Sequence, residues 1–120
     1  MEKVFIDIER SIGMKRHAYR MSVKKGCEEI YIKHHEQVLP GLLQALKESG
    51  IRNYSIFMDG TDLFAYMECD DIDGAWAYVR SHPANEEWSI LLTPIMALVD
   101  SKDVEPRMKP MKEVFRLDDE

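Results

Sequence analysis

Tyr31 and His35 stand four residues apart. At that spacing on a helix two side chains share one face, one turn apart. A histidine takes and gives protons near neutral pH, and a tyrosine hydroxyl donates or accepts hydrogen bonds, so the pair suits proton transfer on a hydroxyl-bearing ligand. The competing reading is two packing residues at the edge of an amphipathic core. His34 points about 100° round the same helix and reads as a packed or solvated neighbour. Trp88 lies in the polar stretch Ala84-Asn85-Glu86-Glu87-Trp88. There an indole either stacks on the apolar face of a sugar ring or anchors a helix. Trp76 reads as a core anchor. Tyr54 heads a strand beside the first helix and is free to face either way. His17 and His82 have no partner pattern and read as surface residues, and the scattered methionines read as core filler.

Other chemistries leave no trace. The sequence has no GxGxxG, phosphate loop, GxSxG elbow or HExxH. A formal net charge of −6 argues against nucleic acid, whose phosphates want a positive face. Cys27 and Cys69 are too few for a disulfide scaffold and lack metal-ligand spacing, so they read as reduced thiols, with no metal. No apolar run approaches the roughly 18 to 20 residues that cross a bilayer. Residues 1–13 are broken by Asp7, Glu9 and Arg10, so they form no signal-peptide core. A soluble cytoplasmic protein is expected, with neither membrane nor nucleic acid as partner.

The elements that must position Tyr31 and His35 can be read from periodicity. With 120 residues, 45% hydrophobic and 32% charged, the chain is sized for one domain with one core. His17 to Val23 alternates and predicts a strand. Cys27 to Ser49 carries apolar residues at three- and four-residue steps and predicts a helix, broken near Val38 and restarted at Pro40, which lacks an amide donor. Gly50 closes it. Asn53–Met58 and Leu63–Glu68 predict a hairpin around Asp59-Gly60-Thr61-Asp62. Asp70, Asp71 and Asp73 introduce a helix to about Ser81. Pro83 opens a helical stretch over Asn85–Val99, bent or restarted near Pro94. Residues 101–110 read as a loop and Glu113–Leu117 as a short last strand. This order predicts an α+β chain, the ferredoxin-like split β-α-β pattern, with helices on one face of a four-stranded antiparallel sheet. The opposite face should carry apolar residues, which predicts a homodimer joined through the sheets.

Taken in order, these segments resemble the L-rhamnose mutarotase family. The resemblance rests on His17-Ala18-Tyr19-Arg20-Met21-Ser22-Val23, then Tyr31-Ile32-Lys33-His34-His35 followed by Pro40-Gly41-Leu42. It continues through Gly50 to Asp59, Leu63 to Glu68, Trp76, Trp88 and Glu113-Val114-Phe115, over roughly residues 14 to 117. It implies a dimeric α+β barrel and an isomerase that exchanges the α and β anomers of L-rhamnose or a related monosaccharide without a cofactor. It implies His35 as catalytic proton donor and sugar contacts from Tyr31, Tyr54, Trp88 and the Ser89 position. Ser89 departs from the pattern, since relatives often carry a second tryptophan there, and Leu39 also replaces a common tryptophan. Residues 1–13 extend past the family's usual start. They are expected to be a peripheral extension, or Met14 the natural start, of a single domain at 14–120; mass spectrometry of the native protein separates these. The competing functional classes are a non-catalytic small-ligand or interaction module and a small monooxygenase on the same frame, which would want a deep apolar pocket.

Overall fold

The computed structural model describes residues 14–97 and 108–119. The expected 1–13 extension and most of the 101–110 loop lie outside the described residues. Strand β1 (Arg16–Val23) buries Tyr19, Met21 and Val23 on one face and exposes Arg20 on the other, as its alternation dictates. Helix α1 (Glu28–Glu36) keeps Glu28 and Glu29 in its first turn and Lys33, His34 and His35 in its last, the charge order its dipole favours. Helix α2 (Pro40–Glu48) starts on Pro40, where the missing amide costs no intrahelical bond. The expected break in one long helix therefore falls between Glu36 and Pro40. Gly50, at φ +97, takes the left-handed turn that ends α2.

Strands β2 (Arg52–Asp59) and β3 (Asp62–Glu68) form the hairpin. Gly60, at φ +61 in the first central position, gives a type II′ turn whose twist suits the flanking strands. Helix α3 (Ile72–Ser81) is capped by Asp71, whose carboxylate accepts from the Gly74 amide at 3.1 Å. Helix α4 (Pro83–Leu92) is capped by His82, whose Nδ1 accepts from the Ala84 amide at 3.1 Å. His82 therefore has a structural partner, contrary to its reading as a plain surface residue. The same holds for His17, whose Nε2 donates to the Cys69 carbonyl at 3.0 Å.

Two expected boundaries move. The last helix stops at Leu92, because the Pro94 ring would clash with the carbonyl four residues back and has no amide to donate. The chain turns there, and Met96–Ala97 forms the short strand β4 against Ser22–Val23. The final strand is β5 (Lys109–Met111), paired with Ala18–Arg20, rather than Glu113–Leu117. Beyond Met111 the antiparallel partner is running out, since β1 begins at Arg16. Glu113 instead ion-pairs with Arg16, and Leu117–Asp119 closes as a 3₁₀ turn.

The described sheet has five strands, ordered β2-β3-β1-β4 with β5 also on β1, all antiparallel. β3 thus lies between β1 and β2, the strands that α1 and α2 connect, which is the split β-α-β arrangement. Leu63, Met67 and Val23 fill the core on the sheet's inner face, and Leu42, Val79 and Ala84 bind α2, α3 and α4 together above it. The outer face leaves Phe57 and Phe64 exposed as direct cross-strand neighbours.

Candidate functional site

A cavity of about 500 Å³ opens between the helices and the inner face of the sheet. Tyr31, His35, Tyr54, Trp88 and Ser89 all line it, so the structure gathers every expected site residue into one space. They come from α1, β2 and α4, and the walls between them are largely aliphatic, including Leu42, Leu46, Ile56 and Leu92.

His35 is the centre of the arrangement. Its Nδ1 lies 2.8 Å from the Tyr31 carbonyl oxygen. A carbonyl only accepts, so Nδ1 carries the proton and, in the neutral ring, Nε2 is left with its lone pair. The imidazole sits 4.1 Å from the Tyr31 ring, tilted by 31°, and 5.0 Å from the Trp88 ring, nearly edge-on at 80°. The two aromatics fix its plane. Burial pushes the His35 pKa below 6.5, only partly opposed by the Tyr31 carbonyl, with nearby His34 adding to the lowering. The resting ring is therefore neutral at physiological pH.

The tyrosines stay protonated. Tyr31 is only 5% exposed, and burial, with Tyr54 nearby, raises its hydroxyl pKa. Tyr54 is pushed up to about 12 by burial and by Tyr19. Both are neutral hydroxyls, able to donate and to accept.

Tyr54 faces inward in step with Ile56 and Met58, and a bulge at its start reverses the alternation before it. Arg52 pairs with Glu68 and Ser55 with Tyr66, so β2 spends one residue more than β3 over the same stretch. The bulge lies at Asn53–Tyr54, and Asn53 adopts φ 52, a left-handed value that asparagine tolerates better than most residues. Arg52 can then face out while Tyr54, two positions on, faces in, where its ring meets Trp76 edge-on at 6.3 Å. Trp76 is core-packed, as expected, and also reaches the cavity wall.

Sequence reasoning missed Asn85, which lines the cavity. Its signal was available: it sits three and four residues before Trp88 and Ser89, hence on their face of α4. No Asp, Glu, Lys or Arg is among the described lining residues. The site can thus pass protons through one histidine and hold a neutral, hydroxyl-rich ligand against aromatic and aliphatic walls.

Residues 16–117 match the family model described as L-rhamnose mutarotase. Among curated proteins, the L-rhamnose mutarotase of Opitutus terrae is 36% identical over 107 residues, covering 88% of this chain and all of that protein. The L-rhamnose mutarotase of Bacillus subtilis is 35% identical over the same length and with the same coverage. The crystal structure of L-rhamnose mutarotase from Formosa agariphila superposes with a TM-score of 0.68 at 30% identity, covering 86% of this chain and 98% of that one. These relatives bear the name of a carbohydrate isomerase, not of a monooxygenase or a binding module.

Proposed function

The chain belongs to the L-rhamnose mutarotase family, and from that membership and the cavity's side chains we propose that it exchanges the α and β anomers of L-rhamnose with His35 as its proton carrier. The observation that carries this reading is the bond from His35 Nδ1 to the Tyr31 carbonyl, which commits one ring nitrogen and leaves Nε2 as the working proton site.

Anomer exchange moves two protons. The anomeric hydroxyl on C1 loses one, the C1–O5 bond breaks as C1=O1 forms, and the ring oxygen O5 gains one. The open aldehyde turns about C1–C2 and closes on its other face by the reverse steps. Both oxygens are attached to C1 in the closed ring, so one nitrogen can serve both. Neutral Nε2 takes the proton from O1, and the imidazolium so formed gives it to O5. In this scheme His35 is acceptor first and donor second, and no separate carboxylate base is required. Tyr31 and Tyr54 hold sugar hydroxyls, and Trp88 and the aliphatic wall cover the ring's apolar face. The described lining residues carry no charged side chain, which suits a free sugar better than a phosphorylated or acidic one, because a buried charge without a partner is costly. General acid–base catalysis by one placed group supplies about 10² to 10⁴-fold, enough for a reaction that already proceeds in water.

Exchange NMR on equilibrated L-rhamnose tests the proposal directly. Exchange between the α and β anomeric protons should quicken in proportion to protein concentration, and His35→Ala should lose about 10² to 10⁴-fold of the acceleration with its fold intact. Exchange as fast in His35→Ala as in wild type would remove His35 from this role.

Residues 14–120 form the catalytic unit on this reading. The two thiols, Cys27 and Cys69, are free among the described residues, which suits a reducing, cytoplasmic setting. The exposed outer face of the sheet suits a homodimer.

A further inference from the structure

Asn85 has a place in the site that packing does not explain. It is half-buried on the first turn of α4 and lines the cavity, yet its side-chain amide makes no hydrogen bond within the protein among the described residues. The helix-capping role open to a polar residue in a first turn is already filled by His82. Four and eight residues on, Ser89 and the C-cap Thr93 also line the cavity, so α4 and its cap carry a polar row along an otherwise apolar wall. We propose that the Asn85 amide determines sugar specificity by binding the O3 and O4 hydroxyls of the pyranose. This inference rests on the mutarotase reading of the same site.

The argument is one of distance and of chemistry. The reacting carbon must sit at His35, and Trp88 is the α4 residue in contact with His35. Asn85 lies three residues earlier, about 4.5 Å along the helix axis. That offset reaches from C1 to the far side of a six-membered ring, where O3 and O4 are carried on adjacent carbons. A primary amide presents an acceptor oxygen and a donor NH₂ on one edge. Adjacent hydroxyls match it, one donating to the oxygen and one accepting from the nitrogen. A site that hydrogen-bonds a hydroxyl penalises the analogue lacking it, because the protein's polar group is then left unpaired. Asn85 touches no atom whose bonds change, so it contributes to binding rather than to the chemical step.

The test compares wild type, Asn85→Ala and Asn85→Ser on L-rhamnose and on its 4-deoxy and 2-deoxy analogues by exchange NMR. Alanine is the best helix former, so the fold should survive the substitution, and far-UV circular dichroism checks it. Asn85→Ala should raise KM for L-rhamnose roughly tenfold and leave kcat within about twofold. Wild type should prefer L-rhamnose to the 4-deoxy sugar by roughly tenfold or more, and that preference should collapse in Asn85→Ala and be intermediate in Asn85→Ser. Preference over the 2-deoxy sugar should not move. A 4-deoxy preference equal in wild type and Asn85→Ala, or a loss confined to kcat, overturns the assignment. Wild type that fails to accelerate L-rhamnose exchange at all overturns the mutarotase reading itself, and this inference with it.

Discussion

The pairing of Tyr31 with His35 was visible from spacing alone, because four residues on a helix bring two side chains onto one face. What spacing does not specify is which ring nitrogen is left open to take a proton. That follows from the hydrogen bond of Nδ1 to the Tyr31 carbonyl and from Trp88, which arrives from a helix more than fifty positions later. The environment also sets the pH behaviour. Burial lowers the folded pKa of His35 below 6.5, so the neutral ring persists further into acid than a free imidazole would. The acid limb of kcat/KM should therefore have its midpoint below 6.5, and a midpoint at or above 6.5 would contradict the desolvated setting. No alkaline limb from Tyr54 is expected between pH 7 and 10, since its hydroxyl ionises only near 12. Linkage fixes the sign of the stability effect. The unfolded chain binds a proton at His35 more readily than the folded one, so this contribution is fully present above pH 6.5 and is lost as pH falls through the folded pKa. Urea midpoints of wild type should fall between pH 7 and pH 5 by more than those of His35→Ala.

Most elements are legible in the sequence because their periods are clean, and the departures have local causes. Pro40 and Pro83 were good markers of helix starts, since proline loses nothing at the first helical position. Pro94 neither bends nor restarts a helix but follows its end, because the next residues find strand partners on β1. The last strand is not legible from pattern, because the apolar residues at 114, 115 and 117 mimic a strand while a ladder needs a neighbour and β1 has ended there. The bulge at Asn53 was not legible: nothing in Arg52-Asn53-Tyr54 distinguishes a regular strand from one carrying an extra residue. It carries its own prediction. A left-handed backbone costs most non-glycine residues about 1 to 2 kcal/mol, and more for a β-branched one. Asn53→Val should lower unfolding stability by about that amount in urea denaturation, and Asn53→Gly should change it far less. Equal stability of the two variants would mean that the backbone at the bulge relaxes at no cost.

For the whole molecule, the sheet divides labour between its faces. The inner face is closed by helices and holds the cavity. On the outer face Phe57 is 63% exposed and Phe64 38%, and the two stand opposite each other across β2 and β3, with Met111 also exposed on β5. A phenylalanine is worth about 1.5 to 3 kcal/mol when fully buried, so a face that leaves two adjacent ones in water has a strong reason to find cover. The same face on a second copy offers that cover by two-fold symmetry, the commonest way a chain of this size assembles. Arg20 and Asp62, 3.9 Å apart and half-exposed beside Phe64, add a charge pair of opposite signs to that surface and would help to fix the relative orientation of the two copies. Light scattering after size exclusion should accordingly give twice the 14.0 kDa of the chain for wild type. Phe57→Glu with Phe64→Glu should give a single-chain mass, because two carboxylates per copy would meet their own images across the axis. These substitutions lie on the far side of the sheet from His35, so the circular dichroism spectrum should be unchanged. Wild type that elutes with the mass of one chain at micromolar concentration would refute assembly through this face. A double variant that stays dimeric would move the interface elsewhere on the molecule.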